Sequence, residues 1–108
     1  MEPEKNRRTR IRGLREYVLL ESDEGAKLFD ILKEVARMDP YTKKMMDLER
    51  LPLTPPQEVV DAFVAKAEQI GITKNLLEES GVLEYGSGIS KGMPIISVDL
   101  LKEDKIQR

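Results

Sequence analysis

The residues best equipped for chemistry are cations gathered near one end of the chain. Lys5, Arg7, Arg8, Arg10 and Arg12 follow one another closely, with Arg15 just beyond. Guanidinium groups at this density can neutralise phosphates, track a minor groove or pair with carboxylates on a protein surface. A second set is the loop Gly86-Ser87-Gly88-Ile89-Ser90-Lys91-Gly92. Its glycines can expose backbone amides, and Ser87, Ser90 and Lys91 add donors, as an anion-binding loop requires. It is not a nucleotide-binding P-loop, because the Gly-Lys-Ser/Thr order is absent and a strand pattern follows instead of a helix. The expected anionic-partner contacts are therefore Lys5, Arg7, Arg8, Arg10, Arg12 and Lys91.

What the sequence lacks narrows the chemistry further. There is no cysteine and no histidine, which excludes disulfides, thiol nucleophiles, Cys/His zinc sites and imidazole general bases. Glu78, Glu79, Asp99 and Asp104 could offer oxygens to magnesium, but no Asp-x-Asp or EF-hand spacing gathers them. Ser87, Ser90 and Lys91 do not make a Ser/Lys nucleophilic pair, since their loop supplies neither an oxyanion site nor packing that would lower the lysine pKa. Tyr17 and Tyr85 are too far apart in sequence to suggest a base-stacking platform. The expectation is a non-catalytic protein without cofactor or metal.

The elements that must position these residues fit one domain. The chain has 108 residues, 40% apolar and 35% charged, with 5% aromatic, a soluble globular composition too short for two comfortable cores. Net charge is -2, but it is divided unevenly. Positions 1–15 hold six basic and two acidic groups, net +4, and the rest hold twelve basic and eighteen acidic, net -6. Such an arm can contact an anionic partner, fold back on its own domain or dock on a second subunit. Nowhere is there an apolar run of membrane-spanning length, and no signal-peptide core is apparent, so the expectation is a cytoplasmic, unanchored protein.

Residues 1–15 read as a flexible basic arm, 16–101 as the globular domain and 102–108 as a frayed charged tail. Tyr17 to Leu20 is a candidate edge strand. Ser22 can cap a helix whose stripe is Leu28, Ile31, Leu32, Val35 and Ala36, with Asp23 and Glu24 at its positive end. Asp39-Pro40 ends it and starts a second helix, with Tyr41, Met45 and Leu48 on its apolar side. On that helix Met45 is expected in the core and Met46 partly exposed. Thr54, Pro55 and Gln57 form a capping-box pattern for a third helix, with Val59, Phe63, Ala67 and Ile70 inward and Gly71 at its C-terminal turn. Thr73 can cap a short helix, and a hairpin follows: Val82 to Tyr85 against Ile95 to Leu100.

This order of helices followed by a hairpin resembles a winged-helix domain in outline. The resemblance implies that Gly86 to Gly92 is the wing loop, with Lys91 as its charge, and that the preceding helix reads DNA. That helix carries Glu78 and Glu79, which phosphates repel. The sequence thus predicts a small α+β domain of three principal helices with a C-terminal antiparallel hairpin. Its expected role is that of a protein-interaction or regulatory module, homo-oligomeric through its complementary charge, with nucleic-acid binding as the alternative.

Overall fold

The computed structural model describes residues 9–48, 52–86 and 92–97. In chain order these form β1 (Thr9–Arg12), β2 (Arg15–Val18), α1 (Ser22–Ala36), α2 (Pro40–Asp47), α3 (Gln57–Gln69), α4 (Lys74–Glu79), β3 (Leu83–Tyr85) and β4 (Pro94–Ile96). The result is a small α+β domain with three main helices and a short antiparallel hairpin. No helix among the described residues is long and apolar enough to cross a membrane.

The core forms where the two best-patterned helices meet. Leu28, Leu32 and Val35 of α1 share one buried cluster with Val59, Val60, Phe63 and Ala67 of α3, as their 3.6-residue periodicity predicts. Phe63 is completely buried. Ile72, Leu77, Val82, Leu83 and Ile96 close the cluster from the C-terminal half. Gly71 ends α3 with φ 90°, a left-handed turn that glycine takes without a Cβ penalty. Ile70 is exposed, because the chain has already left the helical phase at that position.

Helix starts depart from the sequence reading in two places. Ser22 is already inside α1, and Glu21 takes the cap position; its N–H donates to the Glu24 carboxylate at 3.0 Å. Glu24 is therefore buried at a helix N-terminus, where the amides and dipole favour its charge. Thr54 does not cap α3. The helix begins only at Gln57, after Pro56 in extended conformation (φ -66°, ψ 162°). Pro56 crowds the residue before it out of the helical region, so Pro55 cannot start the first turn. Gln57 accordingly donates forward to Asp61, at 2.9 Å, instead of reaching back to a cap.

The second helix is rotated relative to expectation. Its inward residue is Thr42, while Tyr41 and Leu48 are 63% and 54% exposed. Met45 and Met46 are both half-buried and pack against the core.

Two antiparallel ribbons complete the fold. β3 pairs with β4 in the register Leu83 with Ile96 and Tyr85 with Pro94, which matches the expected hairpin over the described part. The proline-rich segment before α3 is more than punctuation. Leu53 bridges Ile96 through two main-chain bonds of 2.9 Å, so Pro52 and Pro55 confine it to a one-residue edge contact.

The other ribbon is built partly from the stretch read as a flexible arm, of which 9–15 are described and 1–8 lie outside the described residues. Residues 9–12 are a strand, paired with β2 in the register Arg10 with Tyr17 and Arg12 with Arg15. Gly13 and Leu14 make the two-residue connection, and Gly13 has the positive φ, 66°, that such turns demand at this place. Tyr17 to Leu20 therefore does not join the C-terminal hairpin; β2 is occupied by β1, and residues 19 and 20 have left the strand.

Candidate functional site

The β1–β2 register sorts its side chains into two faces, since directly opposed residues project to the same side. Arg10, Arg15 and Tyr17 belong to one face; Thr9, Ile11, Glu16 and Val18 belong to the other. The first face turns toward α4 and β3. Tyr17 is buried there, and its hydroxyl donates to Glu84 Oε2 at 2.9 Å. The guanidinium groups of Arg10 and Arg15 lie 5.4 and 5.1 Å from the Tyr17 ring centroid, within cation–π range.

Arg10 also reaches the end of α4. Its Nη2 donates to the carbonyl of Ser80 at 3.2 Å. Ser80 is the C-cap of that helix, where unsatisfied carbonyls attract a cation. Arg15 Nη1 stands 3.8 Å from Glu84 Oε2, so this carboxylate oxygen faces both the tyrosine hydroxyl and a guanidinium. Between the hairpin and β3 lies an open cleft of about 630 Å³, with Arg15 and Tyr17 on one wall, Tyr85 and Gly86 on the other, and Glu78 at its α4 end. Lys74 sits above the Tyr85 ring, 5.7 Å from its centroid.

The opposite face of the hairpin has a different character. Ile11 is 73% exposed and Leu14, at the apex, is fully exposed. Thr9 Oγ1 donates to Glu16 Oε2 across the strands at 2.6 Å. The hairpin thus carries two large apolar side chains into solvent, Ile11 on β1 and Leu14 in the turn, above a layer that is attached to the body.

Of the six expected contact residues, Arg10 is placed against the domain itself. Arg12 lies on β1, where its main chain pairs with Arg15; Lys5, Arg7, Arg8 and Lys91 fall outside the described residues. The anion-loop reading also falls mostly outside them. The described ends of that loop are joined by Gly86 N–H to the Met93 carbonyl, 2.8 Å, and Gly92 N–H to the Gly86 carbonyl, 3.0 Å. Glu79 accepts from Asn75 at 3.3 Å on the exposed side of α4. Among the described residues no group of three or more acidic side chains is arranged to hold a metal ion.

Sequence reasoning missed Tyr17 and Glu84 as partners, because they are 67 positions apart. One signal was available: Arg10 and Arg12, then Gly13, then Arg15 and Tyr17 show the alternation of a glycine-turned hairpin. The chain matches no known family model, no curated protein and no solved structure.

Proposed function

We propose that this chain is a small non-catalytic protein-interaction module whose contact surface is the outer face and apex of the β1–β2 hairpin. The observation that carries this reading is the full exposure of Leu14, with Ile11 73% exposed beside it, on a strand pair whose other face is fixed to the body. Hairpin apices ordinarily carry Gly, Asn, Asp or Ser. A leucine held out from the fold offers an anchor that a partner pocket can desolvate.

The partner to which the chain is complementary is a second copy of itself. With Arg10 and Arg15 engaged by Ser80 and Glu84, the first fifteen residues still hold four other basic groups against two acidic ones, net +2, and the rest of the chain remains acidic, so two copies can exchange attractive contacts. Nucleic acid is less well served by the hairpin, since Arg10 is bonded to Ser80 and Arg15 faces Glu84.

Light scattering after gel filtration, over about a hundredfold concentration range, tests the reading. Concentration-dependent dimerisation that disappears in Leu14→Ser with Ile11→Thr, while the circular dichroism spectrum stays unchanged, is the expected result. A wild-type chain that remains monomeric throughout rules out self-association, and salt-sensitive binding of duplex DNA by that monomer transfers the function to nucleic-acid recognition.

A further inference from the structure

The hairpin is fastened to the domain by contacts of a different kind from those of the helices. Among the described residues, no side chain of β1 or β2 belongs to the main apolar cluster, and Tyr17 is the one that the hairpin buries. Its buried ring, Tyr17, is held by the hydroxyl bond to Glu84, by the two flanking guanidinium groups and by the Arg10 bond to Ser80. Water can replace such polar contacts at small net cost, whereas opening the α1–α3 interface exposes leucine, valine and phenylalanine side chains. A two-stranded hairpin is also marginal by itself, so it depends on this docking.

We propose that β1–β2 is a latched flap. It releases Glu84 and Ser80 and moves away as a unit while the helical core remains folded, and this widens the cleft along β3. In the open state Arg10, Arg15 and Tyr17 become available together. An anionic partner that binds them therefore shifts the population toward open, whereas a partner that grips only Ile11 and Leu14 has no such preference. The inference rests on the interaction reading only for its use in partner choice; the opening itself is a property of the single chain and is measured without any partner.

Native-state hydrogen exchange of the full chain tests it. The residues flanking a two-residue loop form a hydrogen-bonded pair and the pattern then alternates, which assigns cross-strand amide bonds to Arg10 and Tyr17. These amides should be protected, but less than those of Leu32 and Phe63, whose exchange reports global unfolding. Tyr17→Phe keeps the ring and removes the Glu84 bond, so exchange at Arg10 and residue 17 should rise about tenfold. Glu84→Gln keeps an acceptor oxygen and removes the charge, and should give a smaller rise at the same amides. Val35→Ala weakens only the core: exchange at Leu32 and Phe63 should accelerate, about tenfold or more, with the hairpin amides unchanged.

Two results overturn the proposal. If Val35→Ala accelerates the hairpin amides as much as the core amides, the hairpin opens only when the whole domain unfolds. If the wild-type hairpin amides are unprotected and Tyr17→Phe changes nothing, there is no latch.

Discussion

Asp39 and Thr42 are joined twice at the start of α2: Asp39 Oδ2 accepts from the Thr42 N–H at 3.0 Å and from its hydroxyl at 2.7 Å. One carboxylate oxygen therefore caps the helix and satisfies the hydroxyl of Thr42, a residue only 2% exposed. This pair of hydrogen bonds also sets the rotation of α2. With Thr42 drawn inward, Tyr41 must project outward, although it is the more apolar side chain.

Replacing Asp39 tests that relationship. Asp39→Ala removes the cap and leaves the Thr42 hydroxyl buried without its acceptor, a loss of about 1–2 kcal/mol. Urea unfolding should show a lower midpoint at unchanged slope. An unchanged midpoint would mean that Pro40 alone starts the helix.

Phe63 occupies the centre of the α1–α3 interface with no solvent exposure. Truncating Phe63→Ala should destabilise the domain by roughly 3–5 kcal/mol through lost burial and the cavity left behind. A loss under about 1 kcal/mol, measured by the same unfolding experiment, would be incompatible with that packing.

The α1–α3 core was legible because both helices are long enough for periodicity to accumulate: Leu28, Leu32 and Val35 meet Val59, Phe63 and Ala67 as the spacing requires. The short elements were legible in proportion to their local chemistry. Thr73 caps α4 by accepting from the Leu76 N–H at 3.1 Å, and Asp39-Pro40 starts α2. Where two local rules conflict, at Thr54-Pro55-Pro56, the capping pattern lost to the steric demand of consecutive prolines. The hairpin was hidden for another reason. β1 is charged and its partner face is polar, so no apolar alternation announces it; its place is set by Tyr17, Ser80 and Glu84, which only the folded chain brings together.

The two threonines that resemble caps should behave differently. Thr73→Ala should cost about 1 kcal/mol, because the Leu76 amide loses its acceptor. Thr54 is exposed and lies before two prolines, outside α3, so Thr54→Ala should change stability by less than about 0.5 kcal/mol. Equal losses in thermal or urea unfolding would restore Thr54 to a capping role.

The last expectation concerns how the arginines respond to phosphate. Each cation that neutralises a duplex phosphate adds about 0.9 to the slope of log affinity against log salt concentration. Arg10 cannot contribute while its guanidinium donates to the Ser80 carbonyl and lies against Tyr17. Any weak affinity of the wild-type chain for a duplex should therefore keep the same salt slope in Arg10→Gln. The paired replacement of Arg7 and Arg8 by Gln, by contrast, should reduce that slope by up to about 1.8 if both side chains reach phosphates. Fluorescence anisotropy with a labelled duplex at several salt concentrations provides the measurement. A fall of about 0.9 in Arg10→Gln would mean that Arg10 leaves Ser80 for a phosphate. Since that exchange requires the hairpin to detach from α4, the amides of Arg10 and Tyr17 should then lose protection when the duplex is added, which links the charge measurement to the motion of the strand pair.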